Sequence, residues 1–318
     1  MRRALVTGGA GFIGSSLVRH LLAHGWAVTV YDKLNPGRRD FLPDDPNVEL
    51  VVADILDEQA FSAALDGAKA EIVFHLAAIH YIPYCNAHPQ EAMRTNVDGT
   101  EAVFRLSKAA GVPRVVFCST AAVYPSATGP LHEVKTPTAP LDIYGFTKWF
   151  GEELADWMAR DGETRFAVGR LFNVYGPRET SPHLIPALLK QMIEGLNTLK
   201  VGNLEPKRDY IYVEDMARAL YELGVLPDWG RAEPIRANLG TGTEHSVREV
   251  MTGLAAVSGV DLTLEQDPAR MRASDRPNLL ADVSTLRSLV GWTPETDFRT
   301  GLEKLYAWAK DHPELMVG

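Results

Sequence analysis

The chain has 318 residues, of which 46% are hydrophobic and 23% are charged, and Asp and Glu exceed Lys and Arg by 41 to 32. This length and composition indicate one large or two ordinary globular domains with a sizeable core, and they argue against a disordered chain. The formal net charge of -9 argues against a general binder of nucleic acid or of anionic membranes, because such proteins are basic.

Cysteine content and hydropathy favour a cytoplasmic protein that does not bind membranes. The two cysteines, Cys85 and Cys118, are too few for a disulfide framework. No apolar run approaches the roughly 18 residues that a membrane span requires. Glycines between residues 8 and 14 interrupt the apolar run near the N-terminus, so we expect no signal peptide.

The first 175 residues alternate between short apolar, β-rich runs and amphipathic stretches. This alternation predicts an α/β fold of the Rossmann type, a doubly wound parallel sheet with helices on both faces. The predicted strands are Ala4–Thr7, Ala27–Tyr31, Val48–Val52, Glu71–His75, Arg114–Cys118 and Phe166–Arg170. The predicted helices are Phe12–His24, Glu58–Leu65, Pro89–Ala110 and Tyr144–Arg160.

After residue 176 the rhythm becomes irregular, and the content of Pro and charged residues rises. We therefore predict a first domain over residues 1–175, to which segments near 209–240 return, and a smaller, interleaved α/β domain over residues 176–318. The later predicted strands are Asp209–Val213 and Ile235–Leu239, and the later predicted helices are Glu214–Leu223, Val247–Val257 and Phe298–Lys310.

A glycine-rich loop lies between the first predicted strand and the first predicted helix. Gly8, Gly11 and Gly14 have the spacing GxxGxxG. The first glycine permits the tight turn, the second lets a pyrophosphate approach the backbone, and the third lets the helix pack close to the strand. The helix N-terminus then offers free N–H groups to the phosphates. A strand before the loop and a helix after it make the pattern typical of a dinucleotide site.

Two acidic residues follow the next strands. Asp32 ends the second predicted strand, where a carboxylate binds the adenosine ribose hydroxyls and repels a 2′-phosphate, so NAD is favoured over NADP. The alternative is a solvated loop acid. Asp54 follows the third strand and either contacts the adenine amine or caps the helix that begins at Glu58.

A Tyr and a Lys lie four residues apart in the fourth predicted helix, on one helix face. The ammonium of Lys148 near the phenol of Tyr144 would lower the pKa of the phenol, which makes a phenolate a useful general base toward a sugar hydroxyl. Ser119 and Thr120 follow a predicted strand, so their hydroxyls are expected at the carboxyl edge of the sheet, where ligands bind in such folds.

Taken together, these motifs make the chain resemble the extended short-chain dehydrogenase/reductase family, in its NAD-dependent nucleotide-sugar epimerase/dehydratase branch. The resemblance covers nearly the whole chain. The matching segments are TGGAGFIG (7–14), Asp32, Asp54, HLAA (75–78), TNVDGT (95–100), CSTAAVY (118–124), YGFTK (144–148), RLFNVYGPR (170–178), KRDYIYVEDMARA (207–219), NLGTG (238–242) and LADVSTLRSLVGW (280–292).

The resemblance implies a role for each matching residue. Tyr144 would take the proton of the sugar 4-hydroxyl, Lys148 would tune Tyr144 and bind the nicotinamide ribose, and Thr120 would hydrogen-bond the reacting oxygen. The implied NAD-binding residues are Gly8, Gly11, Phe12, Ile13, Gly14, Asp32, Asp54, Ile55, Leu76, Ala77, Ala78, Asn96, Ser119, Tyr144 and Lys148. The implied substrate-binding residues are His80, Thr120, Asn173, His183, Arg208, Arg272 and Asp275, with the two arginines on the diphosphate.

The residues after Thr120 distinguish the members of the family. Nucleotide-sugar dehydratases usually carry an Asp-Glu pair there, whereas this chain has Ala121 and Ala122. Alanine cannot move a proton, so we expect C4 epimerisation of a nucleotide diphosphate sugar, with a UDP-sugar as the most expected substrate, through a transient 4-keto intermediate. A dehydratase with relocated acid and base groups, a 4-ketoreductase and a non-catalytic NAD-binding protein remain alternatives.

Other features carry weaker expectations. No HxxxH or CxxC pair supports a metal site. Arg178 either serves the phosphates or caps a loop, and Arg276 lies near the ligand or in a surface ion pair. The aromatic segment 79–85 is expected to form a wall of the sugar pocket. The resemblance also implies a homodimer, formed by the helices predicted at 89–110 and 144–160.

Overall fold

A seven-stranded parallel sheet forms the centre of the protein in a computed structural model, in which residues 1–229, 233–270 and 276–316 are described. Its strands are β1 (Arg2–Thr7), β2 (Trp26–Asp32), β3 (Val48–Val52), β4 (Ile72–His75), β5 (Arg114–Thr120), β7 (Arg165–Leu171) and β11 (Ile235–Leu239). Their order across the sheet is β11-β7-β5-β4-β1-β2-β3, and every neighbouring pair is parallel.

Helices cover both faces of this sheet, which confirms the predicted doubly wound α/β fold. One face packs on α1 (Phe12–Ala23), α8 (Val213–Val225) and α10 (Ser284–Val290). The other face packs on α2 (Glu58–Ala68), α5 (Gly99–Ala109) and α6 (Ile143–Ala159). The strands are apolar on both faces because each face is buried under helices.

A second region contains shorter strands that the sequence pattern did not indicate. These strands are β6 (Pro130–Leu131), β8 (Asn173–Tyr175), β9 (Thr198–Val201), β12 (Glu244–Ser246), β13 (Thr263–Gln266) and β14 (Asn278–Ala281). Together with β10 (Lys207–Tyr212) they form a sheet of order β12-β10-β14-β6, with β8 paired to β10, and a two-stranded sheet of β13 and β9. Its helices are α7 (Leu184–Ile193), α9 (Val247–Ser258) and α11 (Phe298–Asp311).

The chain passes between the two regions more than once. Strand β10 belongs to the smaller sheet, whereas α8 and β11, which follow it, pack on and extend the large sheet. These contacts do not test the predicted domain boundary at residue 175, which stays a prediction. In the described part of the chain, no helix combines the length and the hydropathy needed to cross a membrane.

The helix predicted over residues 89–110 is confirmed over 89–109, but it contains an irregularity that was not predicted. The structure has α4 (Pro89–Met93), a π-helical turn (Arg94–Asp98) and then α5 in direct succession, and it places a further helix, α3 (Ile82–Ala87), in the aromatic segment. A π-turn inserts one extra residue and re-aims a side chain, which periodicity alone does not reveal. Here the turn carries the buried Asn96.

Candidate active site

The glycine-rich loop has the tight geometry that its spacing predicts. Gly8 has φ +70, and a Cβ there would lie 2.8 Å from the backbone nitrogen of Ala77. A Cβ on Gly14 would lie only 2.1 Å from the carbonyl oxygen of Gly8. These two positions therefore require glycine, because the loop, the strand β1 and the helix α1 approach each other too closely for a side chain.

Space remains open beside Gly11, where the pyrophosphate is expected. Gly11 is the N-cap of α1, and no described side chain caps that helix end. Among the described residues, a Cβ on Gly11 would meet one heavy atom within 4 Å, the carbonyl oxygen of Gly8 at 3.2 Å. Exposed N–H groups at an uncapped helix N-terminus bind phosphates. The loop that includes Phe12 and Ile13 thus fits a dinucleotide.

Asp32 lies at the end of β2 and faces this loop. Its carboxylate accepts hydrogen bonds from the backbone N–H groups of Ala10, at 2.9 Å, and Leu34, at 2.8 Å. Burial raises the pKa of Asp32, and the two hydrogen bonds oppose that effect. The alternative of a solvated loop acid is therefore wrong, since the side chain is buried and bonded to the loop.

One of the two alternatives for Asp54 is also excluded. The N-cap of α2 is Asp57, whose carboxylate accepts from the N–H of Ala60 at 3.0 Å. Asp54 instead accepts from the N–H of Leu56 and forms an ion pair with Lys33 at 3.3 Å. The contact with adenine stays a prediction, as does the neighbouring position of Ile55, which is buried.

The residues after β4 lie beside the glycine-rich loop. Leu76, Ala77 and Ala78 follow the strand, and Ala77 lies against Gly8. The side chain of Asn96 is bonded to Ile79, the residue after Ala78. The amide oxygen of Asn96 accepts from the N–H of Ile79 at 2.8 Å, and the amide nitrogen donates to the carbonyl oxygen of Ile79 at 2.9 Å.

The same Asn96 amide donates to the hydroxyl of Thr147 in α6, at 3.1 Å. That hydroxyl in turn donates to the carbonyl oxygen of Tyr144. Asn96 therefore connects the edge of β4 to the helix that carries Tyr144, which is a positioning role.

The three predicted catalytic residues lie where β5 ends and α6 begins. Thr120 is the last residue of β5, and its hydroxyl lies near enough to the phenol of Tyr144 to lower the pKa of that phenol. Lys148 is buried one helical turn further along α6, with its ammonium 4.8 Å from the centre of the Phe117 ring. Asp142 caps α6 by accepting from the N–H of Gly145 at 2.7 Å, which fixes the start of the helix.

Burial dominates the protonation of this cluster. It raises the pKa of Tyr144, and the nearby hydroxyl of Thr120 offsets only part of the rise. It also lowers the pKa of Lys148 to about 8. The sequence-based expectation of a lowered phenol pKa is therefore wrong for the chain by itself, because desolvation raises that pKa more than the hydroxyl of Thr120 lowers it.

Ser119 has a buried partner of its own in α6. Its buried hydroxyl donates to Glu152, which forms a buried ion pair with Arg170 at 2.6 Å. The expected contact of Ser119 with the cofactor therefore does not use the hydroxyl proton.

Two predicted substrate residues meet at one wall of the site. The imidazole of His80 lies 2.9 Å from the hydroxyl of Ser181, and its ring centre is 5.9 Å from that of His183. His183 is hydrogen-bonded to the buried Glu179 at 2.7 Å, and burial raises the pKa of that carboxyl. Sequence reasoning missed Glu179, because a buried acid within a Pro-rich segment has no spacing signal.

Asn173 carries an unmatched buried polar atom. It begins β8, opposite Tyr210, and its side-chain oxygen is buried with no hydrogen-bond partner among the described residues. Buried polar atoms are almost always bonded, so an orphaned oxygen is consistent with a donor supplied by a ligand.

The remaining residues predicted to bind phosphates or substrate differ in their surroundings. Arg208 donates to the carbonyl oxygens of Lys207 and Arg276, both at 2.9 Å. Arg178 donates to the hydroxyls of Ser15 and Ser16, both at 3.1 Å, so it binds the loop after β8 to the first turn of α1. Two predicted substrate residues lie outside the described residues, namely Arg272 and Asp275.

The alternative of a surface ion pair is wrong for Arg276, because its side chain is 11% exposed, and a position near the ligand stays a prediction. Its guanidinium donates to the carbonyl oxygens of Ala121 and Ala122, at 3.1 and 3.0 Å. The two carbonyls belong to the turn that follows Thr120. A bond to backbone carbonyls far away in the chain leaves no sequence signal.

The fold and this site define a class of protein. A Rossmann-type sheet with a glycine-rich loop after β1 and a Thr, Tyr and Lys at the ends of β5 and α6 is the arrangement of a nicotinamide-dependent enzyme of the short-chain dehydrogenase/reductase type. Residues 4–233 match the NAD dependent epimerase/dehydratase family. The chain belongs to that family.

Similar proteins cover nearly the whole chain. A UDP-glucose 4-epimerase of Lactobacillus helveticus is 31% identical, over 98% of each sequence. The structure of UDP-glucose 4-epimerase from Thermotoga maritima with UDP-glucose is 28% identical with a TM-score of 0.88, over 98% of this chain and 99% of that one. The UDP-glucose 4-epimerase of Thermus thermophilus in complex with NAD is 29% identical with a TM-score of 0.87, over 97% and 98%.

Proposed function

We propose that this chain is an NAD-dependent 4-epimerase of a UDP-sugar, which inverts C4 through a transient 4-keto intermediate. The observation that carries the proposal is the convergence of Thr120, Tyr144 and a buried Lys148 where β5 ends and α6 begins, at the sheet edge that also holds the glycine-rich loop. The epimerases to which the chain is similar support the choice of reaction.

The residues for NAD fit that cofactor. The open space at Gly11, the uncapped start of α1 and the buried carboxylate of Asp32 would hold the pyrophosphate and the adenosine ribose. When bound, NAD supplies the reversible hydride acceptor for C4 of the sugar. The proposed remaining contacts come from Asp54, Ile55, Leu76, Ala77, Ala78, Asn96, Ser119, Tyr144 and Lys148.

The chain's own groups then handle one proton. Tyr144 takes the proton of the sugar 4-hydroxyl as the carbonyl forms, and it returns that proton when the hydroxyl is restored. Thr120, whose hydroxyl lies near the phenol, orients the same oxygen. A charged Lys148 favours the phenolate, which burial alone disfavours. The net proton count is unchanged over a cycle.

The buried turn after Thr120 supports epimerisation over dehydration. Ala121 and Ala122 occupy it, and both are buried, so no proton donor or acceptor is available from these two positions. Elimination of water needs an acid and a base near C5 and C6, whereas epimerisation needs only the acid–base step at the 4-oxygen. A 4-ketoreductase would consume its reduced cofactor and usually favours NADPH, which the carboxylate of Asp32 opposes.

The substrate groups are proposed on similar grounds. Complexes of similar enzymes with UDP-glucose favour a uridine diphosphate carrier. Arg208 would bind the diphosphate through the planar guanidinium, and Asn173 would use its unmatched oxygen. The full proposed set is His80, Thr120, Asn173, His183, Arg208, Arg272 and Asp275.

We also propose a homodimer in the cytoplasm. Three large apolar side chains, Phe146, Phe150 and Trp157, are exposed on one face of α6 at 43%, 39% and 61%. Helix α4 packs beside α6 and contributes an apolar groove at Pro89 and Met93. Large apolar side chains that are exposed together on one face are typical of a protein–protein interface. The two free, buried cysteines support a reducing compartment.

The test is incubation of the purified protein with UDP-glucose, UDP-N-acetylglucosamine and UDP-glucuronic acid, without added cofactor, followed by NMR of the products. We expect a C4-inverted product from at least one sugar and no net NADH. Tyr144→Phe should lower that turnover by about 10²–10⁴-fold, because the phenol is the proposed general base. Loss of water from the sugar, or retained turnover in Tyr144→Phe, would contradict the proposal.

A further inference from the structure

Arg276 occupies a central place behind the candidate active site. Its side chain is 11% exposed, and its guanidinium donates to the carbonyl oxygens of Ala121 and Ala122. These carbonyls belong to the short helical turn that begins directly after Thr120. The oxygen of Ala121 also accepts from the N–H of Tyr124 at 3.2 Å, so Arg276 reinforces the bond that closes the turn.

The same guanidinium faces the start of the helix that carries Tyr144. One carboxylate oxygen of Asp142 caps α6, and the other lies 3.8 Å from the Arg276 guanidinium. A Cβ on Gly145 would lie 2.5 Å from the carbonyl oxygen of Ala122, so the turn and the helix are in close contact. One side chain therefore holds the element of Thr120 against the element of Tyr144.

The backbone of Arg276 faces the other way, toward the proposed diphosphate site. Its carbonyl oxygen accepts a hydrogen bond from the guanidinium of Arg208 at 2.9 Å. A phosphate that draws Arg208 into a bidentate contact competes with that bond or tightens it. Either change acts on Arg276, which is bonded to the catalytic turn.

We propose that Arg276 is a positioning residue that couples occupancy of the diphosphate site at Arg208 to the geometry of the Thr120 turn. In this role its guanidinium acts through the carbonyls of Ala121 and Ala122 and through Asp142. The proposal rests on the proposed function for its kinetic consequence. Its structural consequence, a change in the turn when a nucleotide diphosphate binds, stands apart from that function.

The kinetic test compares Arg276→Met and Arg276→Lys with wild type. We expect Arg276→Met to lower kcat by roughly 10–100-fold, the scale of a misplaced catalytic group, with KM within about twofold of wild type. The acid limb of the kcat profile should move to higher pH, because the influence of the Thr120 hydroxyl that lowers the pKa of Tyr144 is weakened. Arg276→Lys keeps the charge beside Asp142 but loses the planar fork, so it should be intermediate.

The matched control is Arg299→Met, which removes an arginine that is 72% exposed and paired with Glu303 on α11. We expect it to keep wild-type kcat, KM and pH profile. If Arg276 only stabilised the fold, its replacement would lower kcat at every pH in proportion to the folded fraction. The acid limb of the kcat profile would then stay at the same pH. A rise in KM with unchanged kcat would make Arg276 a substrate contact, and either result would overturn the proposal.

The second readout is hydrogen exchange of the peptide over residues 119–124 in the NAD-loaded protein, with UDP as the probe. We expect UDP to change exchange there in wild type and in Arg299→Met, and to leave it unchanged in Arg276→Met although UDP still binds. An equal response in Arg276→Met, or loss of UDP binding, would overturn the inference. If wild type fails to epimerise any sugar, the proposed function fails, but the exchange result still decides whether the diphosphate site is coupled to the turn after Thr120. If Arg276→Met does not fold, the same exchange measurement is made on Arg276→Lys.

Discussion

At the scale of single residues, Lys148 shows how function opposes stability. It is 2% exposed, and burial lowers its pKa to about 8 from the usual 10.5 of a free lysine. At neutral pH the fold therefore holds a charge that it solvates poorly. The benefit is a cation that favours the phenolate of Tyr144, which no apolar residue of the same size supplies.

Lys148→Met should thus abolish turnover and stabilise the nucleotide-free protein by about 3 kcal/mol at pH 7, the free-energy cost of lowering the lysine pKa from 10.5 to about 8. Between about pH 8 and 10.5 the unfolded chain binds a proton that the folded chain has lost, so wild-type stability rises with pH there relative to the variant. The advantage of Lys148→Met should then vanish toward pH 10.5. Thermal unfolding across this pH range measures both effects.

The control for this prediction is Lys135→Met, since Lys135 is exposed. It should change stability by less than about 0.5 kcal/mol at every pH. A Lys148→Met protein that is less stable than wild type at pH 7 would show that the ammonium makes compensating bonds, contrary to the balance described above.

The residues that sequence reasoning located are those with a local pattern. Gly8, Gly14 and Asp32 lie where strand, loop and helix succeed one another along the chain, and Tyr144 and Lys148 share a helix face. Asp142 also had a local signal, an Asp just before a helix, that was not used.

The residues that sequence reasoning missed, or gave another role, depend on tertiary packing. Glu179 is buried by tertiary packing, and Arg276 bonds carbonyls some 150 positions earlier in the chain. The pKa of Tyr144 was misjudged for the same reason, because burial is a property of the fold and not of the motif.

At the scale of elements, the contact between β1, its loop and α1 has the least tolerance. Gly14→Ala places a Cβ 2.1 Å from the carbonyl oxygen of Gly8, a backbone atom that cannot move aside without opening the loop. We expect a loss of about 2–4 kcal/mol of stability and loss of retained NAD. Thermal unfolding and the nucleotide content of the purified protein measure these changes.

Gly67→Ala is the matched control, because Gly67 is an exposed residue of α2 and a Cβ there meets nothing within 4 Å. Alanine should stabilise that helix by up to about 1 kcal/mol and leave NAD content unchanged. A Gly14→Ala protein that keeps its NAD and its stability would mean that α1 can shift away from the loop.

The strands of the large sheet and most of the helices packed against it were largely predicted, whereas most strands of the smaller region and the ten-residue helix α7 were not. The strands of the large sheet have four to seven residues and are rich in apolar side chains, so their composition identifies them. The strands of the smaller region other than β10 have two to four residues, too few for a period to be visible. The π-turn at Arg94–Asp98 keeps helical composition and differs only in its hydrogen bonds.

At the scale of the whole molecule, the exposed apolar face of α6 makes a prediction about assembly. The wild-type protein should elute and scatter light as twice its 35.0 kDa chain mass. Phe150→Glu puts a charge in the centre of that face and should yield monomers, because an unpaired buried charge at an interface costs several kcal/mol.

Val134→Glu serves as its control, since Val134 is 85% exposed and lies outside the face defined by Phe146, Phe150 and Trp157. It should leave the dimer intact. A monomeric wild type, or a Phe150→Glu protein that remains dimeric, would contradict the proposed interface.

Charge and function are consistent at this scale. A net charge of -9 coexists with the binding of two anionic ligands, because phosphates would meet backbone N–H groups at the start of α1 and a few placed cations such as Lys148 and Arg208.

The most direct test of the central claim follows the hydrogen on C4. The sugar that turns over is prepared with deuterium at C4 and incubated with the enzyme in ordinary water, and the epimer is analysed by NMR and mass spectrometry. If C4 is inverted by hydride transfer and return within one site, the deuterium remains on C4 of the product. Loss of the deuterium to solvent, or its transfer to a free cofactor in solution, would contradict the account.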